Sequence, residues 1–162
     1  PDVPSFLAAL RAALDGAPAR PWAAGLYVDV RLPESSEDPT DEQLDARDAA
    51  LDAARDALEA GGWTLAVEGG NALLAWRELP SEPAARAGTL DEVEAQAEEV
   101  LTQALEAAGP LAQVRVFAHA APGEVEQDAQ GRPRLAGGEL LRLERWTTGG
   151  APGAVTLSEA LG

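Results

Sequence analysis

The sequence predicts an α+β domain: a ferredoxin-like βαββαβ sandwich with an N-terminal helix and a C-terminal β extension. Three observations carry that prediction. Two long segments, 41–60 and 90–108, repeat apolar residues at helical spacing between capping and stop signals. Four shorter runs around them alternate apolar and polar residues, the period of a half-buried strand. Between the second and third runs stands Gly69-Gly70-Asn71, residues that accept the positive φ of a tight hairpin.

The elements follow in order. Residues 1–20 read as a helix or arm, with Phe6, Leu7, Leu10 and Leu14 at helical spacing before Gly16 and Pro18 stop it. The first strand, 26–32, turns Leu26, Val28, Val30 and Leu32 inward and Tyr27, Asp29 and Arg31 outward. In the next segment Thr40 and Gln43 have capping-box spacing, Leu44, Leu51 and Leu58 recur every seven residues, and Gly61-Gly62 ends the helix. Small alanines beside those leucines let it lie close to a sheet.

Strands at 63–68 and 72–79 flank the hairpin turn, and 80–88, rich in Pro and Glu, reads as a mobile connection like 33–39. Thr89 and Glu92 predict the cap of the helix over 90–108, which Gly109-Pro110 stops. The fourth strand, 114–120, turns Val114, Val116 and Ala118 inward and Arg115, Phe117 and His119 outward. That completes a core over 21–120 in one single domain. In the extension, 121–162, a second hairpin is expected at 124–134, a strand at 139–147 with Leu141 and Leu143 on one side, and a helical turn at 156–161.

Composition narrows function. The chain has 162 residues, a formal charge of −16, one histidine and no cysteine; all twelve basic residues are arginine. Absent lysine removes Walker-type phosphate loops and Schiff-base chemistry. Absent cysteine and a lone His119 remove thiol nucleophiles, disulfides and structural zinc. Lysine, isoleucine and methionine are all missing, as expected of a high-GC bacterial genome. The acidic charge argues against nucleic acid and membrane surfaces, and no apolar run approaches the ~18 residues of a membrane span. A cytoplasmic setting is expected, with no cofactor and no metal.

Two constellations stand out. Asp41, Asp45, Asp48, Asp52, Asp56 and Glu59 fall on one side of a helical wheel, opposite the Leu/Ala face. They read as a solvated face or as a docking stripe for a basic protein partner. The second constellation follows from topology: with the first and last core strands adjacent, Tyr27, Asp29 and Arg31 lie beside Arg115, Phe117 and His119 on the sheet face away from the helices. Asp29 could then orient His119, and the arginines could hold a carboxylate or phosphate. Burial under the N-terminal helix, the strand around Leu141 or a second copy of the chain is the competing use of that face. The resulting expectation is a non-enzymatic binding or protein-interaction module, a homo-oligomer, with no catalytic residue assigned. The alternative is a protein or enzyme that binds a small anionic ligand on the open sheet face.

Overall fold

The computed structural model describes residues 21–34 and 37–158. The expected N-terminal helix lies outside the described residues. The chain order is β1 (Trp22–Arg31), α1 (Asp41–Ala60), β2 (Thr64–Gly69), β3 (Ala72–Glu78), α2 (Pro83–Ala108), β4 (Gln113–Gln127), β5 (Pro133–Gly138) and β6 (Val155–Leu157). The strands form one sheet in the order β2-β3-β1-β4-β5, with β6 also on β4. All these pairings are antiparallel except β4 with β6. The α+β class, one sheet with two helices, is as expected. Neither helix is long and apolar enough to cross a membrane.

Alternation sorts the residues of β1 between two layers. Ala24, Leu26, Val28 and Val30 face both helices and pack with Ala50, Ala54 and Leu58 of α1 and with Val93, Ala97, Val100 and Ala104 of α2. The alanines bring helix and sheet close together, so a core with few large side chains is still dry. α1 begins as the sequence predicts: the Thr40 hydroxyl accepts the Gln43 N–H at 3.2 Å, and the Gln43 side chain accepts the Thr40 N–H at 2.9 Å.

Two features of α2 differ from expectation. It starts at Pro83, so most of the expected mobile stretch 80–88 is helix. Proline fits the first turn because its missing N–H has no intrahelical partner there, and Ala84, Ala85 and Ala87 favour continuation. Thr89 is therefore no cap; its hydroxyl donates to the Ala85 carbonyl at 3.0 Å. The extra turns dock on β1, where the Arg86 guanidinium lies 4.2 Å from the Trp22 ring centroid.

The C-terminal extension departs further. The hairpin forms as β4–β5, but residues 139–147 are no strand: they make two 3-10 turns, Glu139–Leu141 and Leu143–Arg145. Gly138, at φ +111°, redirects the chain, and the Trp146 indole N–H donates to the Leu140 carbonyl at 3.2 Å, closing the segment on itself. Leu140 and Trp146, not Leu141, cover the sheet face opposite the helices, in a second core with Ala23, Leu74, Trp76, Phe117 and Leu135. The expected helical turn at 156–161 is instead the strand β6 over its first residues, where Val155, Thr156 and Leu157 find a free edge of β4; residues 159–161 lie outside the described residues.

Candidate functional site

The register of β1 sets the site. Asp29 stands opposite Arg115 of β4 and Ala72 of β3. Its side chain projects to the face away from the helices and is 4% exposed. A carboxylate so placed is costly unless paired. Arg115 donates a charged hydrogen bond to Oδ2, Arg31 Nε donates to the same oxygen at 2.9 Å, and Asn71 Nδ2 donates to Oδ1 at 3.3 Å. Arg115 is itself mostly buried, with its guanidinium 5.4 Å from the Phe117 centroid, and its Nε has no partner. One carboxylate against two guanidiniums and a neutral amide leaves the cluster with a surplus positive charge.

Beside the cluster lies a cleft of 460 Å³ lined by Val30, Arg31, Leu32, Arg47, Gly70 and Asn71. Arg31 keeps 61% of its side chain exposed here. Arg47, from α1, is held by Asp48 at 3.3 Å. The turn fits between them because Gly70 adopts φ +54°. Tyr27 is half-buried on the cluster's other side, and burial first, then the Asp29 carboxylate, hold its phenol above its usual pKa.

His119 belongs to a separate group. Gly25, not Asp29, is its partner across β1, so the expected orientation of His119 by Asp29 does not occur. The imidazole Nδ1 lies 2.6 Å from the Ser158 hydroxyl, and Nε2 is 3.4 Å from a Glu139 carboxylate oxygen, too poorly aligned for a hydrogen bond. Burial pushes the His119 pKa down against a smaller upward pull from Glu139. A second cleft of 500 Å³ adjoins it, with Arg145, Trp146 and Thr148 among its walls.

Of the six expected face residues, the structure thus brings Asp29, Arg31 and Arg115 together, with Tyr27 adjoining. Phe117 is fully buried in the second core, and His119 lies two register positions further along β4. The acidic residues of α1 are all exposed, but Arg55 pairs with Asp52 at 2.9 Å and with Glu68 of β2 at 2.7 Å, not with Glu59. Asn71 and Arg47 went unread in the sequence. A signal existed for Asn71: a hairpin turning at Gly70-Asn71 puts the residue just before Ala72 next to the strand position of Asp29.

Comparison with known proteins bears on this architecture. No protein-family model matches the chain, and no curated protein is similar to it at a significant level. Solved structures are similar. The shared fold is that of nucleotide cyclase domains. The monomeric guanylyl cyclase domain of the RhoGC fusion protein from Blastocladiella emersonii aligns with a TM-score of 0.61 at 14% identity, covering 88% of this chain and 83% of that one. The guanylate cyclase domain of RhGC from Catenaria anguillulae, in complex with GTP, gives 0.57 at 15% identity, covering 90% and 82%. The adenylyl cyclase CyaB from P. aeruginosa gives 0.53 at 17% identity, covering 88% and 79%. At these identities the likeness establishes the fold. It also overturns the expectation of a non-enzymatic interaction module, because the solved domains that this chain resembles include guanylyl and adenylyl cyclases.

Nucleoside triphosphates are commonly handled with Mg²⁺ held by one or two carboxylates and the phosphates. The residues at the cluster do not fit such an ion. Among the described residues Asp29 is the one buried carboxylate, with its Oδ2 held by two arginines; Asn71 offers an amide, and no group of three or more His, Cys, Asp or Glu comes together.

Proposed function

We propose that this protein takes a nucleoside triphosphate as its small-molecule ligand, as a domain of the nucleotide cyclase kind on a ferredoxin-like βαββαβ frame. The phosphates dock at the C-terminal end of β1 against Arg31 and Arg47. The observation that carries this reading is the arginine-rich cluster around Asp29, open to a cleft of 460 Å³. Arginine forks match phosphate oxygens bidentately, and in a chain without lysine they are the side chains that bring a permanent positive charge to a phosphate. The overall charge of −16 does not forbid an anion there, because charges beyond about 8 Å are screened at physiological salt while Arg31, Arg47 and Arg115 act at close range. Similar folds have been solved with GTP and with ATPαS, which supports the ligand class.

Assembly as a homodimer and a cytoplasmic setting belong to this reading. The RhoGC guanylyl cyclase domain is described in monomeric and dimeric forms. Here Leu141 is an exposed large apolar side chain, and Tyr27 and Leu143 at the second core are only half-buried, apolar surface that a second copy would cover. Solution mass by light scattering measures this directly.

Isothermal titration with GTP and with ATP tests the ligand. Saturable binding that weakens about tenfold in Arg31→Ala or Arg47→Ala, a loss of ~1.4 kcal/mol, is expected. No saturable heat with either nucleotide would overturn the proposal.

A further inference from the structure

We infer that nucleotide binding at the β1 end needs no divalent cation: the Arg31–Asp29–Arg115 cluster supplies in fixed side chains the positive charge that Mg²⁺ would bring. This inference rests on the proposed nucleotide site and deepens it.

The charge count decides the direction. Asp29 accepts from Arg115 and Arg31 on Oδ2 and from Asn71 on Oδ1, so both carboxylate oxygens are engaged, and Asp29 is not among the residues that line the cleft. A hard cation entering there would meet two guanidiniums on Oδ2 and an amide N–H against Oδ1 of a carboxylate that is 4% exposed. The charge it would meet is net positive. A phosphate meets the opposite situation, because Arg31 spends only Nε on Asp29 and keeps 61% of its side chain exposed.

Position 71 strengthens the argument. Its side chain reaches 3.3 Å from Asp29 Oδ1, so a carboxylate there would form an acidic pair of the kind that captures a divalent ion. Asparagine instead places an N–H donor against that oxygen, which ties Asp29 down without adding negative charge. Asn71 is also the only asparagine in the chain. Arg115, with a buried unpartnered Nε, is locked in by its bond to Asp29 and its stacking on Phe117, so the positive charge cannot swing away.

The test uses the full chain and GTP or ATP as probe, titrated once with MgCl₂ and once with EDTA. The expected result is a dissociation constant in EDTA within about threefold of that in magnesium, or tighter. Affinity at least about tenfold higher with magnesium would overturn the inference while leaving the nucleotide site standing. Absence of binding under both conditions would overturn the nucleotide reading, and this inference with it. Mn²⁺ alone, followed by its electron paramagnetic resonance signal, gives an independent readout. An undiminished free-ion signal in the presence of the protein supports the inference. A bound fraction that disappears in Asp29→Asn overturns it.

Discussion

The His119 imidazole stacks on the Trp146 indole, with ring centroids 5.5 Å apart and planes 23° from parallel. Trp146 also meets the Tyr27 ring edge-on at 6.4 Å, so one indole spans both halves of the site face. The neutral tautomer with hydrogen on Nε2 suits both polar neighbours of His119, accepting from Ser158 and pointing toward Glu139. Burial holds its pKa below the ordinary value.

The pH dependence has a definite sign. The unfolded chain binds the proton near pH 6.5 and the folded protein only at lower pH, so stability is fully present above about 6.5 and is lost as pH falls through the folded value. Thermal midpoints measured across that window should fall on acidification, with a change in tryptophan emission at the same pH. His119→Gln should flatten that part of the profile; an unchanged profile would show that His119 does not set it.

Two glycines should differ in what they tolerate. A Cβ on Gly138, at φ +111°, would lie 2.8 Å from the Gly123 Cα and 2.9 Å from the Pro122 carbonyl, backbone that has no room to yield. Gly138→Ala should cost about 2–4 kcal/mol. On Gly25 the nearest atom, at 2.9 Å, is a methyl of Leu140, the far end of a flexible side chain. Gly25→Ala should cost about 1–2 kcal/mol, mostly by loosening Leu140 and Trp146. Chemical denaturation of both variants gives the ranking.

Removing Arg115 leaves Asp29 buried with only Arg31 and Asn71. Arg115→Ala should destabilise by about 3 kcal/mol, and Asp29→Asn in the same chain should recover part of that loss. A double variant as unstable as the sum of the singles would mean that the two side chains act independently.

Gln96 joins three elements. Its Oε1 accepts from the Trp63 indole at 2.7 Å and from Arg77 at 3.1 Å, and its Nε2 donates to the Gly61 carbonyl at 3.3 Å. Gln96→Leu strands these partners and should cost about 1–3 kcal/mol in denaturation experiments. By contrast Asp45→Asn and Asp56→Asn should each gain about 0.2–0.5 kcal/mol by relieving like charges at i, i+4 spacing, a gain that fades in high salt.

Alternation made the first layer legible: Val28 and Val116 face the helices and are fully buried, and Tyr27 stands opposite Phe117, as their places in the runs imply. Asp29 beside Arg115 follows from the same register. The partners that complete the cluster were not legible. Asn71 arrives through a turn and Arg47 through a helix, and neither position has a period that announces its direction. Residues 139–147 misled because Leu141 and Leu143 imitate strand alternation, while Gly138 and the Trp146–Leu140 bond decide the actual path. Pro83 misled in the opposite sense, since proline opens a helix as readily as it interrupts one.

The place of β1 has a consequence for biosynthesis. Both of its edges are filled by strands made later, β3 and then β4, and β4 in turn receives β6 almost at the end of the described chain. A polypeptide emerging from the ribosome therefore carries β1 with both edges open until β3 has followed, and with one edge open until β4 has. Early termination after β3 would leave that strand half-sealed and prone to pairing with its neighbours on a polysome.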